Sequence, residues 1–434
     1  MERKIMQDLI KWKNDKDRKP LILRGARQVG KTYILKQFGN ENYKNIAYFN
    51  FDHDTELQQL FKNTKDPKRI LEQLSFVSGR AIEPKNTLII FDEIQECPDA
   101  LNSLKYFNEE ANEYHIISAG SLLGIRLSHT SFPVGKVDFL DMYPMTYTEF
   151  LKADGLSNLV EYMDSVNNFE NIPEIFFSRL EEKLKAYFII GGMPEAVKSW
   201  TTEKDISKVN KIQDNILKAY EADFSKHTTE VEANRISIIW NSIPSQLSKD
   251  NKKFLYQVAK EGARAREYEG AVNWLNDANL IYKIYNVTKP DMPLKAYNDL
   301  SAFKIYLNDI GLLRKMTDLD SRIIIEGSKI FEEFKGALTE NYILQMLLSS
   351  GVKPNYFTFD NKYEIDYIIQ YKNNIIPIEV KLNENVNSVS LKHYNEKYNP
   401  KIKIRFSMKN LQKDDNLINI PLFMVEYIRK FLEV

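Results

Sequence analysis

The sequence predicts an α/β protein of several domains, and three observations carry that expectation. At 434 residues the chain is too long for one compact core, so two to four domains are expected. Residues 20–150 alternate short apolar runs with helical segments, the pattern of a parallel sheet covered on both faces. Within that stretch, a glycine-rich octapeptide at residues 25–32 sits between a strand-like run and a helical one.

The elements follow in order. Leu21-Ile22-Leu23 is the first strand, and Tyr33-Ile34-Leu35-Lys36-Gln37-Phe38 opens a helix. Between them, Gly25-Ala26-Arg27-Gln28-Val29-Gly30-Lys31-Thr32 fits the phosphate-loop pattern G-x-x-x-x-G-K-[ST] in full. Gly25 and Gly30 let the backbone curl so that N–H groups converge on an anion at a helix N-terminus. Lys31 is expected to reach the β- and γ-phosphates of ATP, and Thr32 to hold Mg2+. Asn45 to Phe51 forms a second strand, Thr87 to Phe91 a third, and His115 to Gly120 a fourth. Buried parallel strands read as unbroken apolar runs whose carboxyl ends face the ligand. Asp92 at such an end is placed to hold Mg2+, and Glu93 to activate water as a general base. Ser118 and Ser121, beyond the next strand, either sense the γ-phosphate or serve as turn residues. Arg126, Lys136 and Arg27 are candidate cations for a nucleotide or a neighbouring subunit, and equally plain surface charges.

Composition narrows the setting. Hydrophobic residues make up 43% and charged residues 28% of the chain, as in ordinary globular proteins. Lys+Arg and Asp+Glu both number 60, which argues against a globally basic nucleic-acid binder while leaving room for a local basic face. The single cysteine, Cys97, suits a reducing cytosol. Met1 to Met6 lead into an amphipathic helix without an apolar signal core, and no stretch of eighteen apolar residues occurs, so a cytoplasmic protein with no membrane partner is expected.

From about 150 to 232 the pattern turns helical, broken at Gly191-Gly192 with Pro194 opening the next helix; this is either a lid over the nucleotide or a helical linker. Residues 233–300 read as three short helices and a strand, a winged-helix-like arrangement. There Lys252, Lys253, Lys260, Arg264 and Arg266 either contact DNA phosphates or form a solvated face.

Residues 301–434 carry a second constellation. Glu364-Ile365-Asp366-Tyr367-Ile368-Ile369 and Ile375-Ile376-Pro377-Ile378-Glu379-Val380-Lys381 read as two strands joined by a polar turn. Glu379 and Lys381 share a face because strand side chains alternate. Asp366 can lie beside them, and Glu340, on an upstream helix, can supply a third carboxylate. Two or three carboxylates for a divalent metal with an adjacent ammonium are the parts of a phosphodiester-cleaving site. Lys392, His393 and Tyr394 follow on a helix that either touches nucleic acid or faces solvent.

Arg24 to Thr32, Phe91-Asp92-Glu93-Ile94-Gln95, Ala119-Gly120-Ser121 and Phe132-Pro133-Val134-Gly135-Lys136 resemble a family of prokaryotic AAA+-type ATPases. Gly191 to Glu195 and Phe303 to Leu313 resemble that family's C-terminal region, of uncertain function. Together these readings divide the chain into an AAA+-type ATPase core at 1–150, a helical lid at 151–232, a winged-helix-like domain at 233–300 and a nuclease-like α/β C-terminal domain at 301–434. Lys136 stands where most relatives carry arginine, which weakens an arginine-finger role there. The Glu340, Asp366, Glu379-x-Lys381 set is similar to the PD-(D/E)xK nuclease superfamily. Two functions therefore stand at the level of sequence. One is Mg-dependent ATP hydrolysis coupled to a nuclease-like domain acting on DNA or RNA. The other is a nucleotide-operated switch that docks a protein partner through a degenerate nuclease fold. Homo-oligomers fit either, and a small-molecule kinase would leave the C-terminal region unexplained.

Overall fold

A computed structural model describes residues 1–52, 54–121, 133–226, 228–249, 252–326, 332–381 and 388–433. The chain forms two compact units: Glu2–Tyr143 with Asp277–Leu280, and Pro144–Asn276 with Ile281–Val434.

The amino-terminal unit is built on five parallel strands, β1 (Leu21–Arg24), β2 (Asn45–Asn50), β3 (Thr87–Asp92), β4 (His115–Gly120) and β5 (Asp138–Asp141), in the order β2-β3-β4-β1-β5. β3 and β4 are buried at every position, as expected of continuous apolar runs covered on both faces. Helices α1 (Ile5–Asn14), α2 (Lys31–Asn42), α3 (Thr55–Asn63), α4 (Pro67–Ser78) and α5 (Pro98–Glu110) belong to this unit. α3 and α4 start where Asp54 and Asp66 accept backbone N–H bonds, and α4 stops at Gly79 in a left-handed cap. Against the sheet, Phe51, Phe61 and Phe91 pack edge to face, and Phe49 lies tilted against Phe91.

The strand order matters for function. β4 lies between β1 and β3, so the carboxyl end of β4 separates the glycine loop that follows β1 from the acidic pair at the end of β3. That junction is the ligand crevice of an open parallel sheet.

The carboxyl-terminal unit opens with helices, among them Glu174–Ile190, Pro194–Glu203, Ile206–Lys226, Glu230–Leu247 and Ala265–Asp277. Its sheet has eight strands, β6 (Ile281–Val287), β7 (Asn298–Leu307), β8 (Asn355–Phe359), β9 (Tyr363–Tyr371), β10 (Asn374–Val380), β11 (Lys403–Ser407), β12 (Gln412–Asp414) and β13 (Leu417–Pro421). Their order is β12-β13-β11-β10-β9-β8-β6-β7, so the antiparallel pair β6–β7 is the edge of the same sheet that holds β9 and β10. β9 and β10 form a hairpin with Tyr371 opposite Asn374 and Tyr367 opposite Ile378, turned at Lys372, whose φ is 50°. Beside this sheet the helix Glu332–Ser349 buries Ala337, Leu338, Tyr342, Leu344 and Leu347.

Among the described residues, no helix is long and apolar enough to cross a membrane.

Candidate functional site

The glycine loop is shaped by its two glycines. A Cβ at Gly25 would lie 2.2 Å from the Met142 carbonyl oxygen, and Gly30 takes φ 94° immediately before α2 begins at Lys31. Only glycine meets both demands without strain. Arg3 braces the loop from α1's approach, its guanidinium donating to the carbonyls of Val29 at 3.0 Å and Tyr143 at 2.7 Å.

Lys31 is 8% exposed, and its ammonium donates to the carbonyls of Gly25 and Ala26, each at 2.9 Å. Burial brings its pKa down to about 8, against the pull of Glu93 and Asp92, while Arg27 adds to the lowering. Its direct partners are neutral carbonyls, so the cation is not matched by an ion pair. Thr32 Oγ1 donates to Asp92 Oδ2 at 2.7 Å, which joins the loop to the end of β3. Tyr48 on β2 donates to the same oxygen at 2.9 Å. Burial, and then the Asp92 charge, push the Tyr48 hydroxyl well above its ordinary range, so it remains a donor. Gln95 donates to Glu93 Oε2. The hydroxyls of Ser118 and Ser121 are buried with no hydrogen-bond partner. Ser121 follows β4, between the loop and Asp92, and a ligand oxygen there would satisfy it. These features fit a nucleoside triphosphate with Mg2+: a buried cation without a counter-ion, a threonine–aspartate pair and unsatisfied donors.

The remaining candidates of this unit fall elsewhere. Lys136 pairs with Glu109 at 2.9 Å, and Arg126 lies outside the described residues. Ala26, Gln28 and Val29 belong to the loop, with Gln28 at φ 64°.

The second site lies wholly in the carboxyl-terminal unit. Asp366 on β9 accepts the N–H of Val380 at 2.7 Å, which sets it beside Glu379 on β10. Lys381 closes on Glu379 Oε1 at 2.9 Å. Glu379 Oε2 is buried with no hydrogen-bond partner. Glu340 comes from the helix Glu332–Ser349, but both its oxygens are engaged: Oε1 by Lys252 and Oε2 by the Tyr306 hydroxyl at 3.0 Å. Among the described residues, no group of three or more His, Cys, Asp or Glu is arranged to hold a metal ion. Lys252 therefore points into this cluster, not onto a solvent-facing basic patch.

Two further members join the cluster: Glu364, two residues before Asp366 on β9 and so on its face, and Lys304, which had no sequence signal. Lys304 on β7, fully buried, reaches Glu364 on β9 at 2.5 Å. β7 stands three places from β9 in the strand order, so the contact is not one between neighbouring strands. Burial pulls the Lys304 pKa down, but Glu364, Glu340 and Asp366 outweigh it and the net shift is upward. Asp366 is driven well above the ordinary carboxylate range by burial first and then by Glu379 and Glu340. Glu379 is also raised, by burial, with Lys381 opposing. The cluster thus holds four carboxyl groups (Glu340, Glu364, Asp366, Glu379) and three ammonium groups (Lys252, Lys304, Lys381), with Arg405 on β11 opposite Glu379.

The amino-terminal unit is a P-loop domain of the AAA type. Residues 17–151 match the family model described as an AAA domain. Residues 181–322 match a domain of unknown function, DUF8612, and residues 335–423 another, DUF4143. No curated protein matches the chain. Among solved structures, the chain is similar to the Walker-type ATPase paby2304 of Pyrococcus abyssi, at 13% identity over 73% of this chain and 95% of that one, TM-score 0.45. It is also similar to the Aeropyrum pernix ORC1 protein in complex with DNA, at 11% identity over 73% and 91%, TM-score 0.31. A third likeness is to AMPPCP-bound DnaA of Aquifex aeolicus, at 14% identity over 63% and 86%, TM-score 0.25.

Proposed function

We propose that this protein is a Mg-dependent ATPase whose nucleotide cycle is coupled to a nuclease-like domain acting on DNA or RNA. The observation that carries the ATPase reading is the bond from Thr32 to Asp92 beside a buried, unpaired Lys31. In this reading Gly25 to Thr32 wrap the phosphates, and Lys31 meets the charge that develops on the β- and γ-phosphate oxygens. Thr32 and Asp92 would hold Mg2+, which when bound would neutralise part of the phosphate charge. Glu93 takes a proton from the attacking water as it adds to the γ-phosphorus and ADP leaves. Ser121 donates to a phosphate oxygen.

For the carboxyl-terminal unit, the reading rests on Asp366, Glu379 and Lys381 meeting at the end of one hairpin, with an unpartnered carboxylate oxygen on Glu379. Asp366 and Glu379 would hold a divalent cation and Lys381 would orient water for phosphodiester cleavage. Glu340 would act from behind, through Lys252 and Tyr306. Residues 151–232 are the candidate lid, and residues 233–300 the candidate winged-helix-like segment. Homo-oligomers are part of the proposal, since AAA-type sites often take an arginine from a neighbour.

The pairing of Lys252 and Lys304 with Glu340 and Glu364 favours a second reading, in which the cluster is structural and the protein is a nucleotide-operated switch for a protein partner. Cleavage of labelled single- and double-stranded DNA and RNA in Mn2+, with and without ATP, separates them. Cleavage abolished by Lys381→Ala supports the nuclease reading; intact ATPase with no cleavage supports the switch.

A further inference from the structure

Glu93, the base in the reading above, is gripped by a residue that the hydrolysis scheme does not use. β3 ends at Asp92 and the chain turns at once. Glu93 takes φ 50° and ψ 42°, and the single turn Ile94–Glu96 follows. For a residue with a Cβ this left-handed conformation costs ~1 kcal/mol, and it persists only where neighbours over-determine it.

Three contacts do so. The Glu93 N–H donates to Asp92 Oδ1 at 3.1 Å. The Glu93 carbonyl accepts the Glu96 N–H at 2.9 Å. At the far end of the side chain, Gln95 Nε2 donates to Glu93 Oε2. Gln95 is itself 3% exposed and Ile94 beside it fully buried, so the amide is packed in place and is not a swinging surface group.

The chemistry of the pair is informative. A lysine or arginine at position 95 would bind the carboxylate as an ion pair and compete with any proton transfer. The neutral amide of Gln95 anchors one oxygen and brings no charge. It leaves Oε1 as the oxygen able to meet a water, and Asp92, fixed to Thr32 and Tyr48, stays one residue away from it. A base whose carboxylate rotates freely presents its lone pairs in many directions, whereas a pinned one presents a single oxygen.

We propose that Gln95 is a positioning residue for ATP hydrolysis, its side-chain amide fixing the Glu93 carboxylate so that one oxygen faces the attacking water. The inference rests on Glu93 being the base.

Steady-state ATP hydrolysis and equilibrium ATP binding by the full chain, for Gln95→Met, Gln95→Ala and Glu93→Gln, test it. Gln95→Met keeps the length and the neutrality and removes the donor, so packing and positioning separate. The expected result is a kcat lower by about tenfold or more in both Gln95 variants, with ATP affinity within about twofold of wild type. Wild-type or raised kcat in the Gln95 variants, with Glu93→Gln inactive, overturns the role of Gln95 and leaves the base intact. Loss of ATP binding in both Gln95 variants also overturns it, since the residue would then be structural. Full activity in Glu93→Gln removes the base assignment, and the inference with it.

Discussion

The two charged sites of this molecule handle their charges in opposite ways. In the amino-terminal unit, the ammonium of Lys31 is held by neutral carbonyls and the carboxylate of Asp92 by the neutral hydroxyls of Thr32 and Tyr48. Cation and anion sit near each other without pairing, and burial lowers the Lys31 pKa to about 8. In the carboxyl-terminal unit each lysine of the cluster is closed onto a glutamate: Lys252 on Glu340, Lys304 on Glu364, Lys381 on Glu379. Polar neighbours that hold a charge without cancelling it leave it free to meet a ligand. Neighbours of opposite charge complete the site internally, and a ligand must then displace one of them. The exceptions in the second site are Asp366 and Oε2 of Glu379, and any metal chemistry there has to start from those two groups.

The contrast can be broken most forcefully at its two buried lysines. Lys304→Met should destabilise the carboxyl-terminal unit by ~3 kcal/mol or more, because it leaves Glu364 with no counter-charge near Glu340 and Asp366. Thermal melting would register this, and a loss below ~1 kcal/mol would refute the compensation argument. Lys31→Ala should do the reverse: about 100-fold weaker ATP binding by calorimetry, from the loss of charge-assisted bonds to phosphate, with little change in melting.

Glu93→Gln comes next, with kcat reduced by about 100-fold and ATP affinity retained; undiminished turnover would remove the base. The pH dependence of ATP affinity sharpens the comparison further. Below about pH 8 the free loop already carries a charged Lys31, and affinity should be flat. Above it the free protein has lost that proton and must regain it on binding, so affinity should fall by up to about tenfold per pH unit. Affinity that is flat through pH 9.5 or so would mean that Lys31 is not as desolvated as its burial implies. The smallest effect is Tyr48→Phe. Removing one neutral donor from Asp92 should change the Mg2+ requirement of hydrolysis by a few-fold, consistent with ~1 kcal/mol for one hydrogen bond.

What could be seen in the chain differs between the sites for a physical reason. The glycine loop is a local object: residues 25–32 are contiguous, and its glycines are demanded by backbone geometry within a few residues. The strands of the first unit were equally plain, because β3 and β4 are buried along their whole length and read as unbroken apolar runs. β5, with alternating exposure and only four residues, gave no such signal. Tyr48 had no signal, and Gln95, though part of the Phe91 to Gln95 motif, had no assigned role, for another reason. Each acts through one hydrogen bond to a carboxylate, and nothing in the type or spacing of a tyrosine on β2 announces which oxygen it meets.

The second site shows the limit most clearly. Asp366, Glu379 and Lys381 could be placed together because strand alternation and a hairpin put them within a few residues of one another. Glu364, two residues before Asp366 on β9, shares its face by the same alternation, but Lys252 and Lys304 could not be placed, since only the tertiary fold brings them to Glu340 and Glu364. Lys252 looked like part of a basic run until Glu340 took it inward.

The sequence by itself determined the parts whose physics is local: the phosphate loop, the buried parallel strands, the acidic end of β3 and the hairpin that carries Asp366 and Glu379. Tertiary structure alone decided how each charge is compensated, by carbonyls and hydroxyls around Lys31 and Asp92 and by lysines around Glu340, Glu364 and Glu379. The Lys31 carbonyls and the Glu379–Lys381 pair are local, but Thr32 with Asp92, Lys252 with Glu340 and Lys304 with Glu364 meet within a few ångströms from tens of positions apart, and no pattern along the chain encodes those pairings.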